Sequence, residues 1–187
     1  MHRRALCVPM LAMSAMVLAL GGCATPPPPP AAATHAPYVL GSGDKVRVTV
    51  YGEPNLSAVY PVDQAGLVSL PLIGPVQAAG STTFELEKAI AARLRNGYLR
   101  HPDVTVAVDT YRPFFVLGEV SNAGQFPYQA GITAEQAIAV AGGFSPRARH
   151  DSVIIARRVR GHVVKFTAPV STRLMPGDVV TARERWF

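Results

Sequence analysis

Charge is scarce in this chain, and so is cysteine. Asp, Glu, Lys and Arg together make up 16% of 187 residues, which excludes a disordered polyelectrolyte. Aromatic residues are 7%, and no basic run is interleaved with them. That argues against a platform for single-stranded nucleic acid, and nucleic acid is not an expected partner. Two cysteines cannot build a disulfide-rich scaffold or a four-cysteine zinc site. The length falls short of the roughly 250 residues of a (β/α)₈ barrel and suits one ordinary domain or two small ones. The excess of 18 Lys and Arg over 12 Asp and Glu gives a formal charge of +6, too mild to define a partner.

The motifs of covalent chemistry are also missing. Gly41-Ser42-Gly43 lacks the third glycine of a dinucleotide fingerprint and precedes a strand pattern rather than opening a helix, so it reads as a turn. No Gly-Lys-Ser/Thr phosphate loop and no Gly-x-Ser-x-Gly elbow occurs. His35, His101, His150 and His162 have no second ligand type at helical spacing, so no metal or cofactor is expected. Glu85 and Glu87 fall on different helical faces, and Glu85 has a capping role. Asp44 and Asp178 each follow a glycine at the start of a strand, a structural habit. No catalytic residue is assigned, and the chain is not expected to be an enzyme.

Arg157, Arg158, Arg160 and Lys165 make one basic segment. It reads as a solvated face, with contact to anionic glycan or lipid headgroups as its functional alternative. Tyr38, Tyr51, Tyr60 and Tyr111 could stack on sugar rings, but core or rim packing is the simpler expectation.

What is present begins at the N-terminus. Met1 to Arg4 is basic, Ala5 to Leu20 carries no charge, and Gly21-Gly22 follow: the layout of a secretory signal peptide. A retained anchor helix is the alternative, because the apolar run reaches the roughly 20 residues of a membrane span only when extended through Ala24. Leu20-Gly21-Gly22-Cys23 resembles the lipobox of bacterial lipoproteins. That resemblance implies removal of residues 1–22 and lipidation of Cys23. It leaves no free thiol, since Cys7 departs with the signal. Ala24, in place of the Asp that retains such proteins at the inner membrane, implies the outer membrane. Residues 23–37 then form a lipidated, proline-rich linker. Its unbroken Pro26–Pro30 run predicts a polyproline II spacer of roughly 15 Å.

Folded sequence begins near Tyr38. Lys45 to Tyr51 alternates as a half-buried strand. Val59–Val62 and Leu67–Leu70 read as paired short strands across Asp63-Gln64-Ala65-Gly66, and Val76 to Ala78 as a short edge strand. Thr82-Thr83-Phe84-Glu85 fits a capping box opening a helix. Phe84, Leu86, Ala89, Ile90 and Leu94 form its predicted apolar stripe, and Asn96-Gly97 its end. Val104 to Asp109 alternates again. In a second unit, Phe114 to Leu117 reads as a buried strand. Thr133 to Gln136 is a second capping box, its helix closed by Gly142-Gly143. Ser152–Arg158 and His162–Phe166 form a predicted hairpin across Gly161, and Val179 to Thr181 a final strand. Strands, one helix, then strands in each half predicts an α+β fold.

Several segments together resemble the bacterial outer-membrane polysaccharide export proteins. They are Tyr38-Val39-Leu40-Gly41-Ser42-Gly43-Asp44, Val62 to Gly66, Leu70 to Val76, and His101-Pro102-Asp103-Val104-Thr105-Val106. A second set is Phe115 to Val120, Gly124 to Tyr128, and Ala137 to Phe144. It looks like the soluble-ligand-binding β-grasp domain that these proteins carry. The resemblance implies an export domain over 38–111, strands plus one helix, and a β-grasp-like domain over 112–187. It implies a homo-oligomeric, lipid-anchored ring facing the periplasm, guiding capsular polysaccharide or exopolysaccharide outwards. An inner-membrane copolymerase, often with a tyrosine-kinase domain, would be its partner. Larger members add further β-grasp domains and a C-terminal pore helix. The present sequence stops at Glu184-Arg185-Trp186-Phe187, so the expectation is a short member that needs a separate outer-membrane β-barrel. A sugar- or ligand-binding envelope lipoprotein, acting as sensor or scaffold, is the alternative. Nothing in the sequence locates a ligand pocket.

Overall fold

The computed structural model describes residues 37–159 and 161–185. The expected signal segment, Cys23 and all of the linker before Pro37 lie outside the described residues. Strand β1 (Lys45–Val50) sends Val46, Val48 and Val50 inward and its polar residues outward, as its alternation predicts. It lies between β2 (Ala58–Pro61) and β5 (Val104–Thr110), antiparallel to both. Strands β3 (Leu67–Leu70) and β4 (Gly74–Gln77) make a separate two-stranded sheet. This corrects the expected pairing of 59–62 with 67–70. Strand β2 pairs along its length with β1 and stays an edge strand, and the chain reverses after it, where the Asp63 N–H donates to the Leu67 carbonyl at 2.9 Å. The Asp63 carboxylate then accepts the Leu67 N–H at 2.8 Å, and β3 pairs forward with β4.

Helix α1 (Thr83–Arg95) opens with the predicted capping box: Thr82 accepts the Glu85 N–H, and Glu85 accepts the Thr82 N–H. Leu86, Ile90 and Leu94 are buried against the valines of β1 and β5. Burial of each such side chain stabilises by about 1.5–3 kcal/mol. Phe84 was expected in this stripe but is 60% exposed. It stands two residues before Leu86, roughly 200° around the helix at 3.6 residues per turn. Lys88 lies over its ring instead, 4.1 Å from the centroid.

The second unit is a five-stranded sheet, ordered β7 (Gly124–Phe126), β6 (Phe114–Gly118), β10 (Val179–Glu184), β8 (Ala148–Val159) and β9 (His162–Pro169). Strand β10 runs parallel to β6, and the other pairs are antiparallel. Helix α2 (Ala134–Val140), with its own Thr133–Gln136 capping box, packs Ala134, Ala137 and Ile138 on one face of this sheet. Phe114 and Val116 face the helix, whereas Phe115 and Leu117 are 38% and 44% exposed. The expectation of a wholly buried strand at 114–117 is corrected accordingly, because α2 covers one side only. Gly118 ends β6 at φ +84°, where any Cβ would strike the Ala182 carbonyl oxygen. The fold is α+β, and its two apolar clusters share no residue.

Candidate functional site

The same four-residue turn occurs twice. In Gly41-Ser42-Gly43-Asp44 the Asp44 N–H donates to the Gly41 carbonyl at 3.1 Å, and the Gly41 N–H donates to the Asp44 carboxylate at 2.8 Å. In Met175-Pro176-Gly177-Asp178 the reciprocal bonds are 3.1 and 2.8 Å. Gly43 and Gly177 sit at φ +95° and +85°, the left-handed geometry that glycine adopts without strain. Each turn feeds a strand, β1 or β10, and each leaves its aspartate fully buried, at 0% and 1% exposure. Two carboxyl groups buried inside a small protein require hydrogen-bond donors or cationic partners.

The partners differ. Asp178 takes Arg157 from β8 of its own sheet, through Nε at 3.0 Å and Nη2 at 2.7 Å. Asp44 takes Arg112, the residue that follows the first unit. The Arg112 N–H reaches Oδ1 of Asp44 at 2.8 Å and its Nη1 reaches Oδ2 at 3.1 Å. The same side chain donates from Nε to the Pro176 carbonyl of the second turn at 3.0 Å. Arg112 is therefore held by both turns at once. Two glycines, Gly41 and Gly177, make room for it. A Cβ on Gly41 would collide with its guanidinium, one on Gly177 would come within 2.8 Å of Nε, and one on Gly43 would lie 3.5 Å from its Cβ.

Aromatic rings continue the junction. Tyr111 lies edge-on between Tyr38 of the first unit, at 5.0 Å, and Tyr128 of the second, at 5.4 Å. The Tyr38 hydroxyl donates to Asp44 at 2.6 Å and accepts from Arg112 at 3.1 Å. Burial pushes the pKa of this hydroxyl far above its ordinary value, and the bond to the Asp44 carboxylate adds to the shift. Beside these rings runs a groove of about 670 Å³, lined in part by Thr83, Phe84, Glu85, Val106 and Val108. Sequence reasoning identified neither the groove nor the role of Arg112. The available signal for Arg112 was a lone arginine before Pro113, at the join of two units that each contain a Gly-Asp turn.

The remaining candidates separate. Gly41 to Gly43 forms a turn before a strand, as expected. The Glu85 carboxyl is occupied by the Thr82 cap, which lowers its pKa. Glu87 accepts the Val106 N–H weakly, at 3.4 Å. His150 stacks on Phe144 at 4.6 Å, and His101 is exposed in the loop before β5. Among the described residues no three His, Cys, Asp or Glu side chains converge on a metal position. Tyr60 bonds to the Leu56 carbonyl at 3.0 Å, and Tyr51 is 84% exposed. Arg157 turns inward to Asp178, which removes it from the expected basic face, while Arg158 and Lys165 remain exposed. Donors engage both buried aspartates, which hold their turns and the junction in place.

Two α+β units in series, joined through an arginine seated between twin turns, define the class of molecule. The sequence model of polysaccharide biosynthesis/export proteins matches residues 32–109, and that of the SLBB domain matches residues 113–167. The chain belongs to the polysaccharide biosynthesis/export protein family. It is 34% identical over 118 residues to the exopolysaccharide production protein ExoF of Rhizobium meliloti, covering 57% of this chain and 28% of that protein. It is 28% identical over 134 residues to the polysialic acid transport protein KpsD of Escherichia coli, covering 67% of this chain and 24% of that one. It is 27% identical over 187 residues to the EPS I polysaccharide export outer membrane protein EpsA of Ralstonia solanacearum, covering 82% and 49%. The chain thus spans between about a quarter and about a half of the length of these curated relatives.

Proposed function

We propose that the chain is a periplasm-facing component of a capsular polysaccharide or exopolysaccharide export machine, attached to the outer membrane by a lipid on Cys23. In this reading residues 38–111 are the export domain and 112–187 the β-grasp domain. Copies assemble into a ring that guides the polymer, working with an inner-membrane copolymerase and a separate outer-membrane β-barrel. The protein contributes binding and guidance, with no covalent step. One observation carries the reading: two family matches in the expected order, on two units clamped by Arg112. A wall built of such subunits needs each to keep its shape while polymer moves past, and a clamped junction supplies that stiffness.

Deletion of the gene tests the role. Polymer synthesis should continue while secreted polymer disappears, and the gene carrying Cys23→Ser should not restore secretion. Unchanged secretion in the deletion strain would refute the proposal. Native mass spectrometry of the detergent-extracted protein tests the ring, and a monomer at all concentrations would exclude it.

A further inference from the structure

The β8–β9 hairpin is longer than the sheet that carries it. The ladder from β10 to β8 ends at Ala156, and β9 is an edge strand. Beyond that point the two strands pair only with each other: Arg157 with Val164, Arg158 with Val163, Val159 with His162. The hairpin therefore ends in a two-stranded ribbon that projects roughly 10 Å past its sheet, at about 3.3 Å per residue. A ribbon this narrow has no core of its own. Yet Val159, Val163 and Val164 are 46%, 59% and 46% exposed. Alternation places Val159 and Val164 on one face, beside the exposed His162, and Val163 on the other, so each side of the tip carries an exposed valine.

Charge on this segment has one sign. From Ser152 to Met175 the sequence has five Arg and Lys and no Asp or Glu. Arg157 is tied down at the base of the ribbon by Asp178 and lies over the Phe166 ring at 5.6 Å. Arg158 and Lys165 share the face of Val163 and are exposed. Lys165 on the free edge of β9 also discourages strand addition by another protein.

From these features we propose that the tip of this hairpin docks into the headgroup region of an anionic lipid bilayer. Two-sided valines fit a medium that surrounds the tip, whereas a protein partner would cover one face. The projection matches the roughly 5–10 Å depth of an interfacial insertion. Arginine and lysine flanking the valines would meet lipid phosphates, while Arg157 and Asp178 hold the ribbon rigid from below. The hairpin would set the angle of the domain against a membrane. This inference stands apart from the export role and does not depend on the polymer.

Tryptophan quenching tests it. Trp186 is the one tryptophan, so a full-length Trp186→Phe chain can carry a reporter at Val163→Trp or, on the opposite face, at Val164→Trp. The protein is reconstituted into vesicles of phosphatidylcholine and phosphatidylglycerol with brominated acyl chains. Far-ultraviolet circular dichroism verifies folding. Both reporters should shift to the blue and be quenched, and pure phosphatidylcholine should abolish the effect. Arg158→Ala and Lys165→Ala should each lower the ratio of docked to undocked tip about fivefold, equivalent to about 1 kcal/mol per cation. Quenching at neither position would overturn the proposal. So would quenching at one position only, which indicates a one-sided protein contact. A blue shift produced by soluble polygalacturonate or by raised protein concentration, without quenching by lipid, would equally overturn it, in favour of acidic polysaccharide or self-association.

Discussion

The two Gly-Asp turns share one backbone design and one buried carboxylate, yet they do different work. Asp178 closes on Arg157 from its own sheet, so its ion pair stabilises the second unit alone. Asp44 closes on Arg112, whose side chain also holds the second turn at Pro176, so its ion pair fastens the two units together. The local signature is identical, and the difference lies in where the cation originates. A short turn motif predicts that a carboxylate will be buried; the topology decides what that burial holds in place.

The largest expected effect comes from removing a cation. Arg112→Ala leaves the Asp44 carboxylate buried without its partner and should cost about 3–5 kcal/mol. It should also uncouple the units, so that thermal unfolding changes from one transition to two. Arg112→Lys should restore little, because an ammonium cannot reproduce the forked geometry that reaches Asp44 and Pro176 together. Arg157→Ala should carry a comparable cost at Asp178 but should leave the junction intact, so that both units are lowered together in one transition. Hydrogen exchange distinguishes the two variants: with Arg157→Ala the protection of β1 and β5 amides should fall together with that of β8 and β10, whereas with Arg112→Ala the two units should exchange with separate free energies.

Glycine substitutions sharpen the contrast at a smaller scale. Gly177→Ala combines a strained positive φ with a collision against Arg112 Nε. Gly43→Ala meets the strain but only an ordinary contact with the same side chain. Both should destabilise by about 1–3 kcal/mol, with Gly177→Ala the more damaging, as urea unfolding would record. Smaller still are the helix caps, where Thr82→Ala or Thr133→Ala should each cost about 1 kcal/mol in one unit without touching the junction.

Alkali gives a further way to separate the turns, because Tyr38 contacts only the first. Its hydroxyl keeps its proton in the folded state well above the ordinary value of 10.0. The folded pKa is raised, so this stabilisation is complete below pH 10 and declines as pH rises above it, when the unfolded chain ionises first. Melting temperatures should therefore fall above pH 10, and Tyr38→Phe should remove part of that decline.

Much of the fold was legible because its signals are local. The alternation of Lys45 to Val50, both threonine capping boxes and the long basic hairpin each depend on residues within one or two turns of each other. The pairing of β3 with β4 was not legible, since 59–62, 67–70 and 74–77 all have strand character and only the three-dimensional ladders show which of them pair. Phe84 and Phe115 look like core residues in any hydropathy pattern; which face a helix or sheet neighbour covers is a tertiary fact. Arg112 was the hardest to see. Its partners lie 68 and 64 positions away, and no periodicity links an arginine to a turn at that distance.

Differential scanning calorimetry on three proteins, the unsubstituted chain, Arg112→Ala and Arg157→Ala, tests the clamp most directly. The account predicts one cooperative transition for the unsubstituted chain, two resolved transitions for Arg112→Ala, and no loss of cooperativity between the units in Arg157→Ala. A single transition in Arg112→Ala, lowered no more than in Arg157→Ala, would show that Arg112 does not hold the two units together.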